Sequence, residues 1–335
     1  MTEMNGADAI VQSLLVNEVD VVFALPGGQL DHLFDAIYKQ SDQIKLIHSR
    51  HEQGVAYMAY GYAKSTGRVG VCGVVPGPGL LNASAALCTA RANYAPVLCI
   101  SGQIPAAAIG KGYGELHEID DQLGMIRHIT KWAQRIDSPE DAPCIVDEAF
   151  RQLTVGAPGP VEIEMPMDVM STSAEVKMVS AFYCGSPPSV DAAQIQEAAR
   201  LLASAEKPLI YVGSGALDAS SQVLAVAEKL QAPVVAFRSG KGIVSSEHYL
   251  SANHPMGHRL WGETDAVLAV GTRLHWPLTM WGKDDDLKLV RVDVDPEQIS
   301  RICEPELGIV GDAATVFTAL NGKLEENNTQ APSRE

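Results

Sequence analysis

The stretch VFALPGGQLDHLFDAI, residues Val22–Ile37, contains a strand, a tight turn and the start of a helix. The apolar run Val21–Leu25 predicts a buried strand, which the Pro-Gly-Gly turn at residues 26–28 stops. After the turn, apolar residues return at the i, i+3, i+4, i+7 spacing of one helix face, at Leu30, Leu33, Phe34 and Ile37. A strand that leads through a glycine turn into an amphipathic helix is typical of an α/β domain.

The same alternation continues through the first half of the chain. A second helix carries apolar residues at the same spacing, at Val55, Met58, Ala59 and Tyr62. Four further strands are predicted at Lys45–Ser49, Val69–Val75, Pro96–Ser101 and Val161–Met165. Most of these runs are almost continuously apolar, which is typical of parallel strands buried on both faces. The pattern predicts a doubly wound, parallel-sheet α/β domain over residues 1–170.

A second domain of the same class is predicted after a break in periodicity. Residues 171–190 lose the alternation and end in Ser-Pro-Pro at 186–188, so we interpret them as an interdomain linker. The alternation restarts with a helix at Ser220–Leu230 and strands at Leu209–Gly213, Pro233–Phe237, Asp265–Gly271 and Leu289–Asp295. This predicts a second parallel-sheet domain over residues 191–322. The polar residues 323–335 are expected to form a disordered tail or the start of another linker.

The composition excludes several classes of partner. Asp and Glu number 41 against 25 Lys and Arg, a net charge of −16. Such a surface repels phosphate backbones and anionic lipids, which argues against nucleic-acid or membrane binding. An anionic cofactor would need local backbone donors, a helix N-terminus or a metal. The six cysteines form no CxxC pair, and the N-terminus lacks a basic region followed by an apolar run. We therefore expect a cytoplasmic protein.

Three features follow separate strands of the first predicted sheet, namely the turn at Pro26–Gly28, Glu52, and the turn Gly77-Pro78-Gly79. Loops at the carboxyl ends of parallel strands line the ligand crevice, so the three features could share one pocket. Glycine would let the backbone approach a planar ligand closely. Two ordinary interpretations stay open: Glu52 as a surface residue favoured by the helix dipole, and the turns as plain turn chemistry.

Three motifs in this order resemble the pyrimidine-binding domain of thiamine diphosphate enzymes. They are VFALPGGQLDHLFDAI, IHSRHEQGVAYMAYGYAKSTGRVGV at 47–71, and VVPGPGLLNASAAL at 74–87. The resemblance is to the branch that contains acetolactate synthase, benzaldehyde lyase and related carboligases and decarboxylases. It extends from about residue 4 to 320 and implies a pyrimidine-binding domain followed by a Rossmann-like central domain.

The resemblance implies roles for particular residues. Glu52 would be the catalytic carboxylate that hydrogen-bonds N1′ of the aminopyrimidine and favours its imino tautomer. Gln29 and His117 would face the substrate. Residues 116–118 read Leu-His-Glu where acetolactate synthases place Phe-Gln-Glu. A histidine there could exchange a proton with substrate, or it could be a solvent-facing residue of an acidic loop. The cofactor-binding residues would be Pro26, Gly27, Gly28, Gly77, Pro78, Gly79 and Asn82.

The central domain is the second candidate site. Some members of the family bind FAD or ADP there, and the matching residues here are Gly213, Gly215, Arg273 and Asp293. The sequence GSGALD is only a partial GxGxxG motif, so an empty central domain stays an alternative.

Two other patterns are set aside. His254 and His258 have HxxxH spacing, but the intervening Pro and Gly predict a loop rather than a metal site. Gly311-Asp312-Ala313 with Asn327-Asn328 is only superficially similar to the family's Gly-Asp-Gly…Asn-Asn motif, because the third glycine is absent and the interval is short.

No metal site is expected in this chain. The resemblance places the diphosphate and Mg²⁺ on a further domain, so we expect a fragment of a longer enzyme or one half of a split enzyme, inactive alone. The complete protein would be a thiamine diphosphate-dependent carboligase or decarboxylase, a lyase or transferase acting on small 2-keto acids or 2-hydroxyketones. It would be a homodimer or homotetramer, or it would pair with a chain carrying the diphosphate-binding domain. A non-catalytic FAD- or ADP-binding module is the alternative.

Overall fold

The computed structural model describes residues 1–181, 189–327 and 329–333. The chain divides into two compact units, Met1–Cys184 and Gly185–Glu335, and each is described separately. Among the described residues, no helix has the length and apolar character that a membrane span requires.

Within its described residues, the first unit contains eight strands and seven α-helices, with short 3₁₀ turns at Gly28–Leu30, Ala106–Ala108 and Pro139–Asp141. The strands are β1 Thr2–Asn5, β2 Val21–Ala24, β3 Lys45–Ile47, β4 Gly70–Val74, β5 Val97–Gln103, β6 Trp132–Arg135, β7 Val161–Pro166 and β8 Ser173–Val176. The helices are α1 Gly6–Val16, α2 Asp31–Lys39, α3 Glu52–Thr66, α4 Pro78–Ala92, α5 Gln122–Arg127, α6 Ala142–Thr154 and α7 Met167–Ser171.

Six of these strands form one sheet in the order β3-β2-β4-β5-β7-β6, and every pair is parallel. The side chains of α1, α2 and α6 fill a core on one face of the sheet, and those of α3, α4 and α5 fill a core on the other. The predicted doubly wound sheet is confirmed. The edge strand β6 was missed because its sequence, WAQR, lacks an apolar run.

The predicted helix faces are also confirmed. On and before α2, Leu30, Leu33 and Ile37 are buried, and Phe34 packs against the same core. Helix α3 begins where the His51 side chain accepts a hydrogen bond from the Gln53 amide at 3.2 Å, and it ends at a left-handed glycine at position 67.

The predicted linker at 171–190 contains regular structure. Helix α7 extends to Ser171, and β8 pairs antiparallel with β1, with Thr2 opposite Val176. The alternating sequence SAEV was missed because it is short and only its last residue is buried. Residues 182–188 of the predicted linker lie outside the described residues.

In the part of the second unit that the structure describes there are six strands and five α-helices, with short helical turns at Ser214–Ala219, Arg238–Gly240 and Pro277–Trp281. The strands are β9 Pro208–Val212, β10 Val234–Ala236, β11 Ser251–Ala252, β12 Ala266–Val270, β13 Lys288–Asp293 and β14 Leu307–Val310. The helices are α8 Ala192–Ala203, α9 Ser220–Leu230, α10 His254–Trp261, α11 Pro296–Ile299 and α12 Ala313–Glu326. All strands are parallel, in the order β11-β10-β9-β12-β13-β14, which confirms the second predicted domain class.

Two sequence-based expectations for this unit are wrong. The stretch from His254 to His258 was expected to be a loop, but it forms the first part of α10. The Asn253 side chain caps this helix by accepting from the Met256 amide at 3.0 Å, and Pro255 lies in the first turn, where a missing amide proton does no harm. The disordered tail was expected from residue 323, but α12 continues to Glu326.

The Gly311-Asp312-Ala313 stretch begins α12. The Asp312 carboxylate accepts hydrogen bonds from the backbone amide and the hydroxyl of Thr315, at 2.9 and 3.0 Å. Asp312 is thus a helix cap. Asn328, the second asparagine of the Asn327-Asn328 pair, lies outside the described residues.

Candidate functional site

The crevice of the first unit lies between β2 and β4, where the strand order reverses. The chain runs from β2 to β3 on one side and then returns to β4 on the other. In open parallel sheets this reversal point is where ligands bind. The two Pro-Gly turns follow β2 and β4 directly, so the predicted elements lie at this crevice.

Both turns contain glycines because they close on Val75. A Cβ atom on Gly27 would lie 2.4 Å from Val75 Cγ1, and one on Gly79 would lie 2.6 Å from Val75 Cγ2. Neither distance is tolerable, since a real Cβ contact is almost never below 3.0 Å. Gly28 has open space around its Cα atom. Packing alone therefore accounts for two of the predicted glycines, while Gly28 leaves room at the mouth of the turn.

Glu52 and Asn82 are brought together across this crevice. Glu52 is the first residue of α3, and the Asn82 side-chain amide of α4 donates a hydrogen bond to its Oε2 atom at 2.9 Å. The glutamate is half-buried, and its Oε1 atom accepts no hydrogen bond from the described residues. The site thus contains a positioned carboxylate oxygen that can still accept a hydrogen bond.

Gln29 and His117 also meet. Gln29 is buried, and its Nε2 atom donates to the Leu116 carbonyl at 3.0 Å. Its Oε1 atom lies 3.2 Å from His117 Nδ1. Because the Leu116 carbonyl can only accept, the amide orientation is fixed, and His117 Nδ1 must carry a proton that it donates to Gln29. In the neutral form of the ring, Nε2 is then the nitrogen that can accept a hydrogen bond.

The loop that carries His117 is held by one carboxylate. Glu118 accepts hydrogen bonds from the backbone amides of Gly112, Gly114 and Glu115 at 3.0, 2.7 and 2.9 Å. These backbone bonds lower the pKa of Glu118. His117 itself adopts a left-handed φ of 70°. Instead of lying in a free solvent-facing loop, it is half-buried.

The same loop packs on the Gly77 turn. A Cβ atom on Gly77, whose φ is 57°, would lie 2.3 Å from the His117 carbonyl oxygen. The Gly77 amide donates to Gln122 Oε1 at 2.8 Å. Sequence reasoning missed Gln122 and the buried glutamates beneath it. The available signal was VEIEMP, in which two charged residues alternate within an otherwise apolar strand flanked by other strands.

The crevice of the second unit lies between β9 and β12, by the same reversal of strand order. Gly213 and Gly215 follow β9 and pack on Gly271, and their amides donate to Val270 O and Gly271 O at 3.0 and 3.1 Å. A Cβ on Gly213 would lie 2.2 Å from Gly271 O. Close backbone packing therefore explains both glycines, and both amide protons are used within the chain.

The two charged candidates of this unit occupy neighbouring strand ends. Arg273 follows β12, and its carbonyl accepts from the buried Arg291 guanidinium at 3.4 Å. Asp293 ends β13 and accepts from the Asp295 amide at 3.1 Å. Burial raises the pKa of Asp293. The structure thus places both residues at the carboxyl ends of two adjacent strands, β12 and β13.

An aromatic cluster near the same edge was not predicted. His254 Nδ1 lies 2.8 Å from the Tyr211 hydroxyl, and its ring lies 4.7 Å from Trp281. The ring of His258 lies 5.1 Å from the same tryptophan. Burial, followed by the charges of His258 and Arg238, lowers the pKa of His254. In the described part of the chain, no three His, Cys, Asp or Glu side chains are grouped as metal ligands.

Two family models match the chain, one over each unit. The model described as thiamine pyrophosphate enzyme, N-terminal TPP binding domain, matches residues 4–125. The model of the central domain of the same enzymes matches residues 195–320. The chain belongs to the thiamine pyrophosphate enzyme family, with an N-terminal cofactor-binding domain and a central domain.

Among individual relatives, the chain is similar to acetolactate synthases. It is 33% identical to a probable acetolactate synthase large subunit of Methanocaldococcus jannaschii, over 96% of this chain and 56% of the relative. It is 35% identical to an acetolactate synthase of Arthrospira platensis, over 94% and 57%. It is 33% identical to a probable 2-ketoarginine decarboxylase of Pseudomonas aeruginosa, over 98% and 60%. The chain thus spans little more than half the length of these relatives.

Proposed function

We propose that the first unit supplies the pyrimidine side of a thiamine diphosphate site, in a carboligase or decarboxylase of small 2-keto acids or 2-hydroxyketones. The observation that carries this proposal is the Glu52 carboxylate at the crevice, held through one oxygen by Asn82 and with the other oxygen able to accept. Such an oxygen suits a ring nitrogen that carries a proton. When bound, thiamine diphosphate supplies a carbon nucleophile and an electron sink for bond changes next to a carbonyl.

The residues around the carboxylate fit a planar ring. Gly28 leaves open space at the end of β2, and the Gly77 turn begins the helix that carries Asn82. Glu52 would hold and release a proton at the ring, and Asn82 would keep the carboxylate oriented. We propose that the turns position the ring and exclude water from one of its sides.

Gln29 and His117 are proposed to border the substrate. The Gln29 amide fixes the proton of His117 on Nδ1, so Nε2 is the atom that could accept a hydrogen bond or a proton from a substrate hydroxyl. The names of the relatives, acetolactate synthase and 2-ketoarginine decarboxylase, support a small keto acid as the substrate class.

We propose that the diphosphate and its Mg²⁺ are held by another domain, in a homodimer, a homotetramer or a complex with a partner chain. The chain carries a net charge of −16, which opposes binding of a diphosphate without a counterion. The longer relatives have room for such a domain.

Calorimetric titration with thiamine diphosphate and Mg²⁺ tests this proposal. We expect the 335-residue chain alone to bind weakly, and binding to become at least about 100-fold tighter after a diphosphate-binding domain is added, because the phosphates then gain their metal. The Glu52→Gln variant with the same added domain serves as a matched titration. Tight binding by the chain alone would place the phosphate site within this chain and overturn this part of the proposal.

A second candidate function is FAD or ADP binding by the second unit. The observation that favours it is the crevice between β9 and β12, with Arg273 at its edge and an aromatic cluster beside it. We expect ADP to bind with a dissociation constant that Arg273→Ala raises by about tenfold, the size of one lost charge-assisted hydrogen bond. Arg301→Ala, an exposed arginine of the same unit, is the matched control. Equal ADP affinity of the wild type, Arg273→Ala and Arg301→Ala would reject a contact between Arg273 and ADP. A yellow colour of the purified chain would indicate bound FAD.

A further inference from the structure

A cluster of buried polar side chains lies beneath the Gly77 turn. It occupies one face of β5 and β7, the face toward α4 and α5, because the alternate residues of β7, Val161 and Ile163, belong to the opposite core. Polar groups buried in a sheet interior are costly unless their bonding is complete, so each bond of this cluster is informative. Its members are Ser101, Gln103, Gln122, Glu162 and Glu164, all of which are buried.

Glu164 carries the negative charge of the cluster. Its Oε1 atom accepts from Arg135 Nε at 2.5 Å, across the pair of strands β6 and β7. Its Oε2 atom accepts from the amides of Gln122 and Gln103 at 2.8 and 3.3 Å. Both oxygens of this carboxylate are therefore satisfied, and one of its partners is a cation.

Glu162 is less completely bonded than Glu164, and its surroundings favour the neutral form of its carboxyl group. Its Oε1 atom accepts from the Ser101 hydroxyl at 2.6 Å, but its Oε2 atom has no hydrogen-bond partner among the described residues. Burial, followed by the charge of Glu164, raises the pKa of Glu162. The other titratable or charged groups that face it are Arg135 of β6, Arg127 of α5 and Cys99 of β5.

Gln122 joins this cluster to the cofactor crevice. It is the first residue of α5, its Nε2 atom donates to Glu164, Ser101 and the Gly102 carbonyl, and its Oε1 atom accepts from the Gly77 amide at 2.8 Å. The Gly77 backbone amide can only donate and the Gly102 carbonyl can only accept, so the orientation of the Gln122 side-chain amide is fixed. Among the described residues, no other side chain accepts a hydrogen bond from the Gly77 backbone amide.

We propose that Gln122, backed by the Glu164 carboxylate, is the positioning residue that sets the Gly77-Pro78 turn and, through it, Asn82 and Glu52. The link is short, because Pro78 begins the helix that carries Asn82, and Asn82 holds the Glu52 carboxylate. The effect on the turn stands on the structure alone. The effect on cofactor binding rests on the proposed function of the first unit.

Hydrogen exchange of the Gly77 amide, followed by NMR in the full chain, tests the first step. We expect Gln122→Leu to raise its exchange rate by about tenfold, as the loss of one buried hydrogen bond allows. Gln103→Leu is the matched control, since it removes the same amide and a bond to the same Glu164 without touching Gly77. Unchanged exchange in Gln122→Leu, or an equal rise in both variants, would overturn the proposal.

A second variant covers the case in which Gln122→Leu does not fold. Gln122→Asn keeps the amide but shortens the side chain, and we expect the same faster exchange at Gly77, with other amides of β4 unchanged. Glu162→Gln keeps a neutral group and should leave Gly77 exchange within about twofold of wild type at neutral pH. Faster exchange in Glu162→Gln would contradict a neutral Glu162.

The affinity for thiamine diphosphate, measured with Mg²⁺ and an added diphosphate-binding domain, tests the second step. We expect Gln122→Leu to weaken it by about tenfold and Gln103→Leu to leave it unchanged. Equal affinity of both variants would reject the positioning role toward the cofactor. If the wild-type protein binds no thiamine diphosphate under these conditions, the proposed function fails, while the Gly77 exchange rates still decide the role of Gln122.

Discussion

Glu52→Gln in the complete enzyme is expected to lower kcat by a factor of about 100 to 10,000, the usual contribution of a positioned general acid or base. The glutamine side chain has nearly the same shape and can still accept from Asn82 through its oxygen. It cannot take up or release a proton at the cofactor ring. The loss should therefore appear in turnover much more than in the affinity for thiamine diphosphate.

The measurement is steady-state turnover of a 2-keto acid, together with cofactor affinity for each variant. Glu175→Gln, an exposed residue of β8 in the same unit, is the matched control and should retain full activity. Asn82→Ala leaves Glu52 in place but removes its hydrogen-bond donor, so we expect a smaller loss. Near-normal turnover of Glu52→Gln would remove this residue from the mechanism.

Two buried glutamates on one strand should respond in opposite ways to the same substitution. Glu164→Gln removes the anion that Arg135 binds, and we expect the free energy of unfolding to fall by about 3 kcal/mol, as for other buried ion pairs that lose one partner. Breaking a buried ion pair costs roughly 3–5 kcal/mol, and we expect the lower part of this range because Arg135 is partly exposed. Glu162→Gln should instead leave stability unchanged at acidic pH and increase it at higher pH.

The sign follows from the raised pKa of Glu162. The carboxyl group is neutral in both the folded and unfolded states below the usual glutamate pKa of 4.5, so there the variant and wild type should be equally stable. Above that pH the unfolded chain releases the proton while the folded protein keeps it, which destabilises the wild type by about 1.4 kcal/mol per pH unit until the folded group titrates. Glutamine does not titrate and escapes this loss.

Urea unfolding of wild type, Glu162→Gln and Glu164→Gln across a pH series measures both effects. The two positions share a strand, a face and complete burial, so each variant controls for the other. A similar loss of stability in both variants at neutral pH would mean that Glu162 is charged and paired in the folded protein.

The architecture was predictable because hydrophobic patterning determines it directly. Apolar runs such as Val161–Met165 gave the central strands, and the turns after β2 and β4 gave the crevice. Elements whose formation depends on tertiary partners were missed. β8 exists because β1 pairs with it, and α10 exists because the Asn253 side chain replaces the bonds that its first turn lacks.

The candidate site divides along the same line. Glu52, Asn82, Gln29 and His117 carry recognisable neighbours in sequence, and the structure brings them together in two contacting pairs. Gln122 could not be found in this way, because its role depends on two residues distant in sequence. These are Gly77, which is 45 residues away, and Glu164 of strand β7. At Gly213 and Gly215 the sequence instead suggested a function that the glycines do not require. Their partial GxGxxG motif indicated nucleotide binding, but close packing on Gly271 already explains both glycines.

The antiparallel pair of β1 and β8 joins the first and last strands of the N-terminal unit. With Thr2 opposite Val176, the two ends of the fold leave from neighbouring points. A domain with adjacent ends can be inserted into, or removed from, a longer polypeptide with little disturbance to the rest. This part of the protein therefore has the geometry of an interchangeable module, and gene fusion or rearrangement could combine it with different companions while its internal sheet stays intact.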